Sequence, residues 1–531
     1  MSPEHRRTAA ALLALAALAC HEGASGPLIT GGPPGPRPAL SPAYRPSGHA
    51  AAGDVFVHLF EWRWADVATE CEQVLGPAGF TAVQVSPPQE HSITPTHDWS
   101  ERYQPVRYNI AHSRSGDSTA FVDMVNRCKA VGVGIYVDAV INHMTNYPSP
   151  GTGSAGSAYS KYDYPGLYTS ADFHTPACVV TDYTNAANVQ DCELLSLPDL
   201  NTELPRVRDT IAGYLTKLAR LGVAGFRIDA AKHIQQVSLD DIFRVVDSTA
   251  KAEGRPIPYY YLEVSTGPGE ALGPTDYFGE AYASGGAADI TEFIFKGVGD
   301  KFVGYGGQYI AQLNPNGPPG SQFSPAAWGL MPSDKAVVFL QNHDTQHQTG
   351  SGTISYRDGS VFRVANVWML AQPYGYPSIL SAYAFVRPQE NSMGPPSDAN
   401  GWTLPVACAS RLETAADDQF VCEHRDPYIL NMVAFRKYVA GTDQNHWWDD
   451  GYNAIAFSRG SKGFVAINRE GTTVTAKVGT GMPPGAYCDL LTGGLVNGAC
   501  AGTPVAVDTT GAVQLNLQPN TAIAIDGATK L

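Results

Sequence analysis

Apolar and polar residues vary along this chain on two length scales. The runs VFVHLFEW, FTAVQVSPP, GIYVDAVINH, VAGFRIDAAKH, YYYLEV, ADITEFIF, AVVFLQNHD and PSILSAYAF are of strand length and nearly continuous in apolar character. Strands covered on both faces of a parallel sheet read this way, whereas a half-exposed strand alternates. Between the runs lie stretches with helical period. In RDTIAGYLTKLARLG, Ile211, Leu215 and Leu218 fall at i, i+4 and i+7 on one helical face. Strand and helix therefore alternate, which predicts an α/β architecture. Eight such units predict a (β/α)8 barrel, a fold whose chemistry gathers at the C-terminal ends of the strands.

Two regions fall outside the alternation. A stretch from His143 to Asp199, rich in Gly, Ser, Tyr and Asp, is too long for a plain loop and predicts a subdomain inserted after the third strand. From about Gly441, the short runs YNAIAFSR, GFVAINR, AVQLNL and TAIAIDG between Gly, Asn and Pro turns predict an all-β, Greek-key-like sandwich module. The expected layout is a targeting segment at 1–20, a Pro/Gly-rich tether at 21–52, the barrel at 53–440 with its insertion at 143–199, and the β module at 441–531.

Composition narrows the chemistry. The 531 residues are 44% hydrophobic and 16% charged, enough for a large core, and the formal net charge of -15 disfavours nucleic acid and anionic membranes as partners. At the N-terminus two arginines precede an apolar run from Ala9 to Ala19, the layout of an export signal and too short to span a bilayer. Cys20 closes that run as in a lipoprotein signal, so secretion and lipid attachment at Cys20 both stand as readings. Without Cys20 the nine cysteines leave eight, and an exported protein pairs them. Spacing favours Cys178–Cys192, Cys408–Cys422 and Cys488–Cys500, which leaves Cys71–Cys128.

Polar residues recur where the apolar runs end: Glu61, Gln84, Asp138, Asn142, Asp229, Glu263 and Asn342 to Asp344. Three of these acids suit glycoside cleavage with retention, which needs an ionised nucleophile and a protonated acid about 5 Å apart. Asp229 has Arg227 two residues earlier on the same strand face, favouring its ionised form, whereas Glu263 follows the apolar YYYL, which disfavours ionisation. Asp344 is left to hold the sugar. Trp99, Tyr103 and Tyr108 offer rings on which a sugar can stack. The bland alternative is a structural ion-pair network around Arg227.

These motifs together resemble a known family. VDAVINH, GFRIDAAKH, LEV and FLQNHD resemble the four signature segments of the alpha-amylase family, glycoside hydrolase family 13. VHLFEWRW, VQVSPPQE, ERYQPV, MLAQPYG and YCDLLTG resemble its animal-type members, and the resemblance runs from Gly53 to Leu531. It implies Asp229 as nucleophile, Glu263 as general acid/base and Asp344 as transition-state stabiliser. Trp99, Tyr103, Gln104, His143, Arg227, Lys232, His233 and His343 would contact the bound glucosyl units, and Asp138 would support the barrel end. The implied activity is endo-hydrolysis of internal α-1,4-glucosidic bonds in starch, glycogen and maltooligosaccharides by a monomer.

The resemblance also implies a structural calcium ion between barrel and insertion, held by Asn142, Asp199 and the backbone carbonyls of Gln190 and His233. It implies chloride less well: Arg227 and Asn342 are in place, but Ser360 stands where the second basic residue belongs, with Arg357 and Arg363 off register. Chloride dependence is therefore expected to be weak or absent. Two other functions compete, a transglycosylase using the same acids and a glycan-binding protein without catalysis.

Overall fold

The apolar runs form eight parallel strands in the computed structural model, which describes residues 44–278, 288–348, 350–385, 392–416 and 419–531. They are β1 (Phe56–Leu59), β2 (Ala82–Val85), β3 (Gly134–Ala139), β4 (Gly225–Ile228), β5 (Tyr259–Leu262), β6 (Asp289–Thr291), β7 (Ala336–Val338) and β8 (Tyr376–Ser381). Each pairs with its neighbours in chain order, and β8 closes the ring on β1 with Phe56 opposite Ser378. Helices cover the outside and side chains fill the inside, so the strands are buried almost throughout. Segment 1–20 and Cys20 lie outside the described residues. Among those described, no helix is long and apolar enough to cross a membrane.

The helices follow from local sequence. Around the barrel, α1 (Trp64–Glu70) continues into a π-helical turn at Cys71–Leu75, and α2 (Ser118–Ala130) starts where Asp117 accepts the Ala120 N–H at 2.8 Å. A Cys71–Cys128 disulfide staples these two, and the other three pairs join Cys178–Cys192, Cys408–Cys422 and Cys488–Cys500 as the spacing favours. Within the insertion lies α3 (Ala186–Asp191). Pro205 opens α4 (Pro205–Arg220), where its fixed φ suits a first helical turn, and Ile211, Leu215 and Leu218 are all buried. The outer layer continues with α5 (Gln236–Ala252), α6 (Gly297–Val303), α7 (Ser360–Ala371) and α8 (Pro427–Tyr438).

The barrel interior is stratified. Its lower layer is aromatic, with Phe56, Tyr136, Tyr261 and Tyr376 packed together. Gly225 makes room for it, since a Cβ there would lie 2.8 Å from the Tyr136 ring and 2.7 Å from the Tyr259 carbonyl. Residues Tyr44 to Ala52 lie below, with His49 stacked on Tyr376 at 4.3 Å and the Tyr44 hydroxyl on Asp334 at 2.5 Å. The upper layer is polar and opens on the site described next.

The insertion leaves β3 and returns to α4 with its ends joined by a β-bridge between His143 and Asp199. Tyr159, Tyr164, Tyr168 and Phe173 give it a buried aromatic centre. After α8 the chain forms two four-stranded antiparallel sheets. One contains β9 (Gln444–Asp449), β10 (Ala454–Arg459), β11 (Gly463–Asn468) and β16 (Thr521–Asp526), and the other β12 (Val474–Gly479), β13 (Gly485–Cys488), β14 (Pro504–Val507) and β15 (Ala512–Leu517). Phe464, Val478, Tyr487, Leu515 and Ile525 fill the space between them. Arg459 fastens this module to the barrel through the Ala371 carbonyl at 2.7 Å.

Glu423, fully buried before α8, accepts the Ala382 N–H at 3.1 Å, yet burial pushes its carboxyl up to about 8. Its folded-state value therefore lies above the unfolded one of about 4.3, so its contribution to stability is complete at low pH. That contribution falls as pH rises and is gone above about 8. Melting temperatures between pH 5 and 8 should decline less steeply in Glu423→Gln than in wild type; equal slopes would contradict this assignment.

Candidate active site

Strand register places the chemistry. Arg227 on β4 stands opposite Asp138 on β3 and Tyr261 on β5, all near the C-terminal ends of their strands. Its guanidinium Nη1 donates to Asp138 Oδ1 at 2.6 Å and to Asp229 Oδ1 at 2.9 Å, and Nη2 pairs with Glu263 Oε1 at 2.6 Å. Asp229 and Glu263 are each the first residue beyond a strand, which is why neighbouring strands present them to the same group. Ala230 turns the chain in the left-handed region, φ 49°, and its N–H donates to Glu263 Oε2 at 2.8 Å. This strained turn ties the two strand ends together. Asp344 joins from beyond β7, with Asn342 Nδ2 at 3.4 Å from its Oδ2 and His343 Nε2 at 3.5 Å.

Four carboxylates thus crowd one guanidinium. Burial, then the charge of Glu263, pushes Asp229 well above the usual carboxylate range despite Arg227, and the same two causes push Asp344 up to about 7. Burial also raises Asp138, with Arg227 opposing. Arg227 itself is held more firmly protonated, because the carboxylates outweigh its own burial. One cation faces four acids, of which Asp138 and Asp229 are buried and Glu263 and Asp344 partly so, and such a closely coupled group shares its protons in common. A nucleophile and a proton donor need this mixture of charged and neutral acids. His58 and His343 are pushed the other way, well below the usual imidazole range, by burial and by Arg227, and stay neutral.

The surroundings differ in part from the sequence expectation. Glu263 does not sit in an apolar pocket; although it follows YYYL, its side chain leans across to Arg227 and the Ala230 amide. Tyr103 stacks on His343 at 5.1 Å and donates to Asp138 Oδ2 at 3.0 Å, and Trp99 packs edge-on to Tyr103 at 5.7 Å, so both rings border the acids. Tyr108 does not border them. It is a core residue stacked on Tyr214 at 4.7 Å. His143 Nε2 lies 2.9 Å from the Tyr103 carbonyl, and Gln104 Oε1 accepts the Thr145 hydroxyl at 3.0 Å, fixing the insertion to this wall. Lys232 pairs with Glu270 and lies 4.8 Å over the Tyr183 ring. Glu270 and Tyr183 carried no signal in the sequence because both are loop residues without periodicity. Glu61 belongs elsewhere, in a fully buried pair with Arg102 at 3.0 Å.

The residues assigned to cations sit where the insertion meets the barrel. His233 Nδ1 lies 2.8 Å from the Val189 carbonyl, which brings its backbone beside Gln190, and the His143–Asp199 bridge places Asn142 beside Asp199. Asp199 is buried and its Oδ1 has no hydrogen-bond partner among the described residues, while its Oδ2 faces His174 Nδ1 at 2.6 Å. A bare buried carboxylate oxygen among amide and carbonyl oxygens fits a hard cation. His174, with Asp191 and Glu203, forms an adjoining cluster that sequence reasoning missed.

The residues assigned to chloride are engaged with other protein groups. Both terminal nitrogens of Arg227 are held by carboxylates. Asn342 engages Asp344 and, at 2.8 Å, the Thr345 N–H. Ser360 brings no charge. Arg363 is bound to Glu413 and Asp426, and Arg357 to the Phe385 carbonyl and ring, so neither takes its place.

The chain matches family models described as the alpha amylase catalytic domain over residues 75–260 and the alpha amylase C-terminal all-beta domain over 447–527. It is 41% identical over 503 residues to an alpha-amylase of Thermomonospora curvata, covering 92% of this chain and 77% of that protein. With an alpha-amylase of Tenebrio molitor it shares 40% identity over 474 residues, covering 88% and 95%. Among solved structures it resembles a mutant of alpha-amylase I from Eisenia fetida in complex with maltohexaose. That match has a TM-score of 0.80 and 34% identity, covering 92% of this chain and 99% of that one.

Proposed function

The chain belongs to the alpha-amylase family, and from that premise we propose that Asp229, Glu263 and Asp344 carry out endo-hydrolysis of internal α-1,4-glucosidic bonds in starch, glycogen and maltooligosaccharides. The observation that carries this reading is the single guanidinium of Arg227, which holds Asp229 and Glu263 on its two terminal nitrogens. Two acids held by one guanidinium are close-set, as a retaining pair, about 5 Å apart, must be.

In the first half-reaction an Asp229 oxygen attacks the anomeric carbon while Glu263 passes its proton to the glycosidic oxygen. The carbon–oxygen bond breaks and the chain beyond it leaves as an alcohol. In the second, Glu263 takes a proton from water, the hydroxide adds to the anomeric carbon, and Asp229 is released as carboxylate. Two inversions give net retention. Arg227 stabilises whichever carboxylate is charged at each stage, and the buried setting strengthens that attraction. Asp344, with neutral His343 beside it, is placed to hold sugar hydroxyls as the ring flattens. Trp99 and Tyr103 supply faces for stacking, and Lys232 with Glu270 supplies polar contacts farther out.

Asn142, Asp199 and the carbonyls of Gln190 and His233 would hold calcium, which supplies a charge that locks the insertion to the strand ends. No step of the bond cleavage needs it. Chloride has no role in this reading, because the groups it would need are engaged with one another. Segment 1–20 and four disulfides support export of the enzyme.

Starch digested by Glu263→Gln should show turnover at least about 100-fold below wild type with starch binding retained, and full activity would refute the assignment. Thorough chelation should make the insertion susceptible to proteolysis and abolish activity; an unchanged cleavage pattern, melting point and rate would refute the calcium site. In a salt-matched assay, replacing an inert anion by chloride should change the rate by less than about twofold, and strong activation would show that an anion displaces the contacts around Arg227.

A further inference from the structure

Asp138 is the innermost acid of the cluster and the reaction scheme gives it no step, yet its side chain is fully buried and holds one edge of Arg227 at 2.6 Å. Its second oxygen, Oδ2, accepts from two sides: the Tyr103 hydroxyl at 3.0 Å and the Gln84 Nε2 amide at 3.2 Å. Gln84 stands on β2, 4% exposed, and its Oε1 accepts the hydroxyl of Tyr261 from β5 at 2.5 Å. The hydrogen-bond chain from Tyr261 through Gln84 to Asp138 thus crosses the barrel interior. Its direction is dictated by charge. A carboxylate can only accept, so Gln84 must turn its amino group to Asp138 and its carbonyl to Tyr261, which must donate.

We propose that Gln84, oriented by Tyr261, is a positioning residue for the glycosidic reaction: it holds Asp138 as the fixed partner of Arg227 Nη1, the nitrogen that Asp229 shares, so that Nη2 is set toward Glu263. The inference rests on the assignment of those two acids above. Without the Gln84 donor, Asp138 would keep Arg227 and Tyr103 as partners but lose a hydrogen bond to its charged form, and it would bind a proton more readily. A protonated Asp138 holds Nη1 less firmly, and the guanidinium then loses the anchor that sets it between Asp229 and Glu263.

The groups that face Asp138 are Arg227 from β4, Tyr103 from the turn after β2, Gln84 from β2, and the carboxylates of Asp229, Glu263 and Asp344, with Tyr214 and Tyr261 nearby. Arg227 is the cation among them, and the acids all oppose ionisation of Asp138. A donor lost on this side therefore has no substitute.

The test is the pH dependence of starch hydrolysis by the full chain. In Gln84→Met the acid limb of kcat should move upward by roughly half to one pH unit, while KM stays within about twofold. Tyr261→Phe should move it the same way by less, because the Gln84 amide is then free to turn. The double variant should move it no further than Gln84→Met alone, since Tyr261 acts through Gln84. A lowered melting point with the wild-type acid limb in either single variant would show a packing role and overturn the proposal, as would shifts that simply add. If Gln84→Met does not fold, Tyr261→Phe decides by itself: an unmoved limb overturns the proposal. A wild-type protein that does not cleave starch would instead defeat the functional reading on which this rests.

Discussion

One buried cation organises this molecule. Arg227 reaches the barrel axis from β4, buried away from bulk solvent, and its neighbours Asp138, Asp229 and Glu263 come from three consecutive strand ends. Removing such a charge from water is costly, and only excellent geometry with several carboxylates offsets that cost. Much of the architecture serves this end. The closed ring fixes the register that puts Arg227 opposite Asp138, the aromatic lower layer seals the barrel beneath it, and Tyr103 and Gln84 occupy the remaining oxygen of Asp138.

The same constraint explains why the acids can differ in role. Identical carboxyl groups on an open surface would titrate together near 4, whereas here burial and mutual repulsion push Asp229 and Asp344 upward while Arg227 pulls back. The balance belongs to the cluster, not to any one side chain. The insertion contributes from outside: His143 and Gln104 tie it to the Tyr103 wall, and the Asp199 corner ties it to β3 and β4. Anything that loosens this lid alters the shape of the cleft without touching the acids.

Much of this was legible in the chain. Strands buried on both faces cannot alternate, so VFVHLFEW to PSILSAYAF declared a parallel barrel, and the residue just beyond each strand declared Asp229 and Glu263. Other features depend on where side chains lean in three dimensions. Glu263 follows four apolar residues yet bends toward Arg227. Tyr108 lies near Trp99 and Tyr103 in sequence but packs on Tyr214 in the core. Glu61 lies just beyond the end of β1, but it pairs with Arg102 and not with the cluster. His174 gives no periodic or motif signal because its partners Asp199 and Glu203 are fixed by the fold of the insertion. For Ser360 the sequence told of a missing charge, but it took the fold to show that Arg357 and Arg363 are bound elsewhere.

The central claim is that Arg227 sets Asp229 beside Glu263 so that Asp229 bonds to the sugar. The most direct measurement is the mass of the protein after Glu263→Gln is mixed with α-glucosyl fluoride, whose leaving group needs no proton donor and whose adduct then lacks its general base. A gain of one glucosyl unit on the peptide containing Asp229 is the predicted result. An adduct on another carboxylate, or no adduct with release of the β-anomer by wild type, would contradict it.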